Sequence, residues 1–333
     1  MTTTPLYAAD PDRNLALELV RTTEAAAMAA ARWMGRGDKN AADQAAVTAM
    51  RTMFNTIRMD GVVVIGEGEK DQAPMLYNGE RLGSGEPPLV DIAVDPIDGT
   101  RLTSLGLPGS VSVAAVAERG TLYNPQHIVY MNKIAVGPAA KGAVSLDAPV
   151  KDNLRRVAKA LDKELHDLTV CVLDRPRHAD ILKDIRAAGS RIKLIPDGDV
   201  SGGLMTAVDD GGVDILMGIG GSPEAVITGC ALKCLGGEIQ CKLWPRDDAE
   251  RARAREMGME LDRVLTTEDL VSGDNVFFVA TGITDGEWLN GVKFSGRGAR
   301  TMSVVMRSRS GTVRIVEAVH RLQKLAELTN LYD

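Results

Sequence analysis

The pattern of apolar positions predicts helices at the start of the chain and buried strands soon afterwards. Two Ala-rich stretches contain few helix breakers, and the apolar runs that follow are short and β-branched. These stretches predict helices at 14–34 and 41–58, followed by strands at 61–65, 89–94, 110–117 and within 122–136.

The pattern changes at Lys151, after which predicted strands and helices alternate as far as residue 235. Repeated strand–loop–helix units imply an α/β arrangement with functional loops after the strands. Residues 292–319 are again strand-rich and basic, and most of their charges are expected on a solvated sheet edge. We therefore predict two parts, an N-terminal α+β half (1–165) and a C-terminal α/β half (166–333).

Composition narrows the function classes. The net charge of −6 and an aromatic content of 4% argue against nucleic-acid binding. No apolar run approaches the ~20 residues of a membrane span, and the N-terminus lacks a signal-peptide pattern, so a cytoplasmic protein is expected. The four cysteines contain no CxxC pair, which indicates buried, reduced thiols.

The most informative stretch is Asp95-Pro-Ile-Asp-Gly-Thr100, which follows the predicted strand at 89–94. Pro96 is expected to end that strand, and a short helix is expected to start at Thr100. Two carboxylates beside a helix N-terminus can hold a hard cation together with a phosphate. The alternative is an Asx-type turn in which Asp98 caps the helix, and two acids at this spacing alone favour that alternative.

Three other acids lie in similar contexts, and each has an ordinary explanation. Asp43 is expected in the first turn of the second helix, and Glu67 lies between two glycines that could form a charged hairpin tip. Glu224 could be a first-turn acid behind a Ser222 N-cap and Pro223. Taken together, acids without a nearby His or Cys suit Mg²⁺ or Mn²⁺ better than zinc or copper.

The string from Asp95 to Thr100 resembles the signature of the Mg²⁺-dependent, lithium-sensitive phosphatases. Further motifs narrow the resemblance to class II fructose-1,6-bisphosphatases, over about residues 20–320. These motifs are Gly35-Arg-Gly-Asp-Lys-Asn40, Val64-Ile-Gly-Glu-Gly-Glu-Lys70, Ala73-Pro-Met-Leu-Tyr77, Arg175-Pro-Arg-His178, Ile195-Pro-Asp-Gly-Asp-Val200 and Gly218-Ile-Gly-Gly-Ser-Pro-Glu224.

The resemblance implies a layered α/β (α+β) sandwich of the sugar-phosphatase or inositol-monophosphatase-like type. It implies hydrolysis of the 1-phosphate of D-fructose 1,6-bisphosphate to fructose 6-phosphate in gluconeogenesis, with Mg²⁺ or Mn²⁺, by a homodimer or homotetramer. The implied metal ligands are Asp43, Glu67, Asp95, Asp98 and Glu224. The implied substrate contacts are Asp98, Gly99, Thr100, Tyr130, Arg175, Pro176, Arg177, Asp197, Gly198, Asp199 and Gly221.

Within this scheme Thr100, polarised by Asp43, is expected to orient a metal-activated water. Arg175 and Arg177 are expected to clamp the distal phosphate, although surface arginines at this spacing are an ordinary alternative. Asp197 and Asp199 could accept hydrogen bonds from sugar hydroxyls, or could form a turn and a helix cap.

One position departs from the family pattern, which usually has glutamate where this chain has Asp98. The shorter acid resembles the inositol-phosphatase version of the motif. The alternatives are therefore another sugar or inositol phosphatase, including a sedoheptulose-1,7-bisphosphatase, or a phosphosugar-binding protein without activity.

Overall fold

The computed structural model describes residues 15–66, 76–208, 211–296 and 298–328, which form two mixed β-sheets with helices between and outside them. The helices are α1 (Leu15–Ala31), α2 (Lys39–Phe54), α3 (Thr100–Leu105), α4 (Val150–Ala160), α5 (Ala179–Ala188), α6 (Asp199–Leu204), α7 (Ser222–Leu235), α8 (Asp248–Glu256), α9 (Thr267–Leu270) and α10 (Leu322–Leu328). The strands are β1 (Asp60–Ile65), β2 (Arg81–Leu82), β3 (Leu89–Asp98), β4 (Val111–Glu118), β5 (Tyr130–Val136), β6 (Thr169–Leu173), β7 (Arg191–Ile195), β8 (Ile215–Gly221), β9 (Glu238–Leu243), β10 (Leu265–Thr266), β11 (Phe277–Gly282), β12 (Lys293–Ser295), β13 (Gly298–Arg307) and β14 (Thr312–Arg321).

The two sheets take their strands from different parts of the chain. The first sheet has the order β12-β13-β11-β4-β3-β1-β2, with β14 paired to β13. The second has the order β10-β9-β5-β8-β6-β7. Thus β5, which precedes residue 165, lies in the second sheet, and β11 to β14, which follow it, lie in the first. The proposed domain boundary at 165 stays a prediction.

The three largest hydrophobic clusters of the described residues hold the layers together. Leu19 of α1 and Phe54 of α2 pack on one face of the first sheet. Leu204 of α6 and Ile227 of α7 belong to the cluster between the two sheets. Leu154 of α4, with α5, covers the outer face of the second sheet. Each fully buried apolar side chain of this kind contributes about 1.5–3 kcal/mol. The helices and sheets alternate in the order α-β-α-β-α, and the predicted layered α/β (α+β) sandwich is confirmed.

The layers bring several strand ends together at one place. Strands β6, β7 and β8 are parallel within the second sheet, so their C-terminal ends lie on the same side. Helices α6 and α7 begin after β7 and β8, and α3 begins directly after β3 of the first sheet. Loops at these ends therefore face one another across the gap between the sheets.

Pro96 does not end β3, contrary to the prediction. The strand continues to Asp98, and the pairing with β4 shifts register between Asp95 and Asp98. A proline, which lacks an N–H group, is tolerated at such a bulge because the ladder is already interrupted there. The bulge carries the strand on to the residues that start α3.

Two other predicted elements need correction. Helix α2 begins at Lys39 because Asp38 caps it, accepting a hydrogen bond from the Ala41 N–H, so Asp43 lies in the second turn and not the first. In the region predicted as strands at 122–136, only β5 forms a strand, and Leu122 makes a single bridge to Val271. Pro125 interrupts the segment between them.

The four cysteines are free and buried, as predicted. Within the described ranges, none of the helices has the length and apolar character that a bilayer span requires.

Candidate active site

Residues from the ends of β3, β6, β7 and β8 line a cavity of about 390 Å³. It collects most of the residues that the sequence singled out. Those lining it are Asp95, Asp98, Gly99, Thr100, Tyr130, Arg175, Arg177, Asp197, Gly198, Asp199, Gly221 and Glu224. Asp43 reaches the cavity through Thr100, whereas Pro176 starts a short 3-10 turn and is not a lining residue. Gly66 lines the cavity too, but Glu67 lies outside the described residues.

The first wall is the junction of β3 and α3. The carboxylate of Asp95 accepts a hydrogen bond from the Ile97 N–H at 3.0 Å, which fixes the bulge. Gly99 is the N-cap of α3. Its backbone is in the left-handed region, at φ 94°, where glycine is favoured because it has no Cβ. The Thr100 hydroxyl lies 3.2 Å from Oδ1 of Asp43 and 3.2 Å from the Ile97 carbonyl oxygen.

The second wall is the junction of β7 and α6, and it has the same local design. Gly198 is also a left-handed N-cap, at φ 82°, and Asp199 opens the helix. The two junctions exchange hydrogen bonds, because the Ser201 N–H donates to Oδ2 of Asp98 at 3.2 Å. In return the Arg101 N–H donates to Oδ2 of Asp197 at 3.3 Å. Each helix N-terminus thus holds an acid of the other junction.

The acids of this cavity lie close to one another and are poorly solvated. Asp98 and Asp199 are buried, and Oε2 of Glu224 is buried with no hydrogen-bond partner among the described residues. Burial, followed by the charges of Asp199 and Glu224, raises the pKa of Asp98 well above its ordinary value. Burial and Asp199 raise the pKa of Glu224 to about 6. Burial also raises the pKa of Asp43 to about 6, although the hydrogen bond from Thr100 opposes the shift.

This donor set fits a hard divalent cation in its chemistry. All donors are oxygens, and a buried carboxylate oxygen without a donor is the kind of group that a cation stabilises. Within the part of the chain that the structure describes, no three acidic, His or Cys side chains form a ready-made cage. One of the predicted ligands, Glu67, lies outside that part.

The arginines form the third wall. Arg175 donates to the Pro196 carbonyl oxygen at 2.7 Å and lies 3.6 Å from Oδ1 of Asp197. Arg177 donates to the Ile219 carbonyl oxygen at 2.8 Å, and its guanidinium stacks on Tyr130, 4.9 Å from the ring centroid. Because Arg177 is anchored by a neutral carbonyl and a ring, it keeps its full positive charge for a ligand.

The sequence did not point to Lys133, which is 2% exposed and lies in β5. Its Nζ lies 2.6 Å from Oδ2 of Asp199. Burial by itself would lower the pKa of Lys133, but the Asp199 and Glu224 carboxylates outweigh it and raise the pKa. The available signal was a lysine directly before the apolar run Ile134-Ala-Val136 of a predicted strand, because a lysine buried there needs a charged partner.

His178 ends the motif Arg175-Pro-Arg-His178, and the sequence alone predicts no role for it. It is buried, and the N–H of Ile219 donates to its Nε2 at 2.8 Å, while Nδ1 lies 2.7 Å from the Leu173 carbonyl oxygen. Nε2 must therefore be unprotonated and Nδ1 must carry the hydrogen. This neutral ring ties the arginine-bearing loop to β8.

Comparison with known proteins identifies the family of this chain. A model of the bacterial, glpX-encoded fructose-1,6-bisphosphatase family matches residues 13–320. The chain belongs to this family. A class 2 fructose-1,6-bisphosphatase of Haemophilus influenzae is 46% identical over 333 residues, which cover 96% of this chain and 100% of the relative. The fructose-1,6-bisphosphatase 1 class 2 of Escherichia coli K12 is 45% identical over 325 residues, which cover 94% of this chain and 96% of the relative.

Membership of the bacterial fructose-1,6-bisphosphatase family confirms the resemblance drawn from the motifs and makes the chain a phosphatase enzyme. The cavity between the sheets is lined by both carboxylates and arginines.

Proposed function

We propose that the cavity binds D-fructose 1,6-bisphosphate and hydrolyses its 1-phosphate with a divalent cation, Mg²⁺ or Mn²⁺. The observation that carries the proposal is that carboxylates and arginines line one and the same cavity. Thr100, which is hydrogen-bonded to Asp43, lines it together with Asp95, Asp98 and Glu224, and we call this group the acid wall. Arg175 and Arg177 line the same cavity and form the arginine wall. Such a cavity can treat the two phosphates of one substrate differently, as a 1-phosphatase must. The reaction would serve gluconeogenesis.

The arginine wall receives the phosphate that does not react. Arg175 and Arg177 both line the cavity, and their existing partners are backbone carbonyls and the partly exposed Asp197. A guanidinium can exchange such contacts for a bidentate contact with a phosphate dianion, whose charge is greater. The stacking of Arg177 on Tyr130 fixes the direction in which the guanidinium points.

The acid wall receives the phosphate that reacts. The Thr100 hydroxyl donates to Asp43, so its oxygen lone pairs face away from that carboxylate and can accept a hydrogen bond from the attacking water. The water oxygen adds to phosphorus as the bond from phosphorus to the sugar oxygen breaks, and a proton goes to the leaving sugar oxygen. Since the transition state is loose, orientation of the water is the main contribution of Thr100.

Divalent cations, when bound, offset the charge of the phosphate and lower the pKa of the attacking water. The residues that would hold them are Asp43, Glu67, Asp95, Asp98 and Glu224. Support comes from the buried oxygens of Asp98 and Glu224, which lack a positive partner strong enough to keep their pKa values at ordinary levels. Among the described residues, Asp98 accepts a hydrogen bond from the Ser201 N–H at 3.2 Å.

The sugar lies between these walls in this proposal. Asp197, Asp199 and the backbone at Gly99, Gly198 and Gly221 line the same cavity. Carboxylates there can accept hydrogen bonds from sugar hydroxyls, and the glycines allow the close approach of a ring.

The test is phosphate release from fructose 1,6-bisphosphate, sedoheptulose 1,7-bisphosphate and inositol 1-phosphate. We expect EDTA to abolish activity, and Mg²⁺ or Mn²⁺ to restore it on the fructose ester. Inositol 1-phosphate should be a poor substrate because it leaves the arginine wall empty. Greatest activity with Zn²⁺, or a preference for inositol 1-phosphate, would overturn the proposal. Glu67→Gln and Asp95→Asn with normal rates would remove those two residues from the ligand set.

A further inference from the structure

Lys133 occupies an unusual position among the charged residues of this protein. It is the single lysine or arginine among the described residues that is fully buried. Its Nζ lies 2.6 Å from Oδ2 of Asp199 and donates to the carbonyl oxygen of Gly221 at 3.2 Å. Asp199 is the first residue of α6, and Gly221 is the N-cap of α7. One ammonium group therefore connects the starts of two helices at the floor of the cavity.

The fit around this ion pair is tight. A methyl group at Gly220 would lie 2.0 Å from Oδ2 of Asp199 and 2.8 Å from Nζ of Lys133. A methyl group at Gly221 would lie 1.8 Å from Oε2 of Glu224. The two glycines of β8 thus allow Lys133, Asp199 and Glu224 to press against the same backbone. The side chains have little freedom to find other partners.

Three carboxyl groups and one ammonium group share this floor. Among the described residues, Lys133 forms its ion pair with Asp199, and Asp98 accepts a hydrogen bond from the Ser201 N–H. Oε2 of Glu224 remains without a hydrogen-bond partner in the described part of the chain. An ammonium group 2.6 Å from a carboxylate occupies the place that a metal ion would take beside it.

We propose that Lys133 is a positioning residue that acts as a permanent cation of the acid wall and reserves Asp199 for the substrate. Held and neutralised by Lys133, Asp199 accepts hydrogen bonds from the sugar and does not ligate metal. The divalent cations are thereby directed to the remaining acids. The inference rests on the proposed metal-dependent function. It explains why some carboxylates of the cavity would bind metal and Asp199 would not.

A purely structural ion pair would behave differently when one charge is removed. Without the ammonium group, Asp199 becomes a free carboxylate beside the unpartnered oxygen of Glu224. Two such oxygens are the start of a site for a hard cation. Loss of a structural pair would instead lower the stability of the protein and leave its metal content unchanged.

The experiment counts Mn²⁺ ions bound per chain by electron paramagnetic resonance, without substrate, in the full-length protein. Lys133→Met should bind one more Mn²⁺ than the wild type. The double variant K133M/D199N should return to the wild-type number, because the freed carboxylate is gone. For both Lys133→Met and the double variant, the KM for fructose 1,6-bisphosphate should be about tenfold higher than in the wild type, with a smaller change in kcat.

The single variant Asp199→Asn keeps the proposal falsifiable if Lys133→Met does not fold. It should bind Mn²⁺ with the wild-type number and affinity, because Asp199 is not a ligand. Loss of a Mn²⁺ ion in Asp199→Asn, or an unchanged number in a folded Lys133→Met, would overturn the inference. A wild type that binds no Mn²⁺ would overturn the proposed metal dependence instead, so the two failures are distinct.

Discussion

The two helix starts that face each other in the cavity share a local design and differ in chemistry. At each, a strand leads to an aspartate, a left-handed glycine and then a short helix, in Asp98-Gly99-Thr100 and Asp197-Gly198-Asp199. The first junction buries its aspartate and presents a hydroxyl. The second keeps Asp197 partly exposed and presents a carboxylate. The residue that follows the glycine, Thr100 or Asp199, therefore determines whether a junction presents a hydroxyl or a carboxylate to a ligand.

The partner of that residue differs as well. The hydroxyl of Thr100 meets an acid, Asp43, whereas the acid Asp199 meets a cation, Lys133. Asp43 orients the Thr100 hydroxyl so that its oxygen lone pairs can accept a hydrogen bond from a water. Lys133 holds the negatively charged carboxylate of Asp199 in place. The same turn geometry thus supports a reacting end and a binding end, and the difference can be tested by exchanging or removing single groups.

The largest effect is expected at the first junction. Thr100→Ala removes the hydroxyl that orients water, so kcat should fall about 10²-fold or more. Thr100→Ser keeps the hydroxyl but frees its rotamer, and should retain part of the activity. Thermal unfolding and Mn²⁺ binding should stay close to wild type in both variants. A Thr100→Ala enzyme with normal turnover and a lowered Tm would show that Thr100 only supports the helix start.

The two glycines should differ in their contribution to stability. At Gly198 an added methyl group meets nothing closer than 3.6 Å, so Gly198→Ala should cost only the positive φ, about 1–2 kcal/mol. At Gly99 the methyl group would also lie 2.9 Å from Cδ1 of Leu102, which adds overpacking of about 1–3 kcal/mol.

Gly79→Ala is the matched control, because Gly79 has the φ of Gly99, 94°, and nothing within 4 Å of the added methyl group. Urea unfolding of the three variants measures the difference. Equal losses at Gly99 and Gly79 would mean that packing against Leu102 relaxes freely and that the first junction is not the tighter one.

Substitutions in the arginine wall should weaken substrate binding. Arg177→Ala should raise KM for fructose 1,6-bisphosphate about tenfold and leave kcat nearly unchanged, because the lost contact is with the phosphate that does not react. Arg175→Ala should do the same. Hydrolysis of a sugar monophosphate provides the control, since it lacks the distal group. Equal losses on both substrates would move the arginines to the reacting end.

The local elements of both junctions could be read from the sequence. The strand into Asp95, the helix start at Thr100 and the loop at Asp197 depend on neighbours in the chain, namely apolar runs and glycines. The continuation of β3 through Pro96 could not be read in this way. It depends on a register shift against β4, which only the paired strand reveals.

Contacts between distant segments were beyond prediction for the same reason. The hydrogen bonds that join Asp98 to Ser201 and Arg101 to Asp197 link positions about a hundred residues apart. The ion pair of Lys133 and Asp199 joins β5 to the start of α6, 66 residues further along the chain. No periodicity records such pairs. The composition of two sheets from interleaved parts of the chain has the same origin, since strand order is set by tertiary packing.

The smallest expected effect is a difference between the two junctions in how their stability depends on pH. The second junction is tied to the loop of Arg175, which donates to Pro196, and His178 anchors that loop by accepting the Ile219 N–H. No histidine takes part in the hydrogen bonds that Asp95 and Thr100 make with the described residues of the first junction. Protonation of His178 should therefore weaken the second junction and leave the first unaffected.

Burial lowers the folded-state pKa of His178 below its ordinary value of 6.5. Below pH 6.5 the unfolded chain therefore takes up a proton that the folded protein does not. The stability from neutral His178 is complete above pH 6.5 and is lost as pH falls toward the folded-state pKa. The loss has a slope of at most about 1.4 kcal/mol per pH unit. Urea unfolding between pH 5 and 8 should show that the stability of the wild type falls relative to that of His178→Gln as the pH drops below 6.5, because the buried acids contribute equally to both proteins. Replacing the exposed His166 by Gln should leave the wild-type slope unchanged. If the slopes of His178→Gln and the wild type coincide, another group controls acid sensitivity, and the loop is not held by a neutral ring.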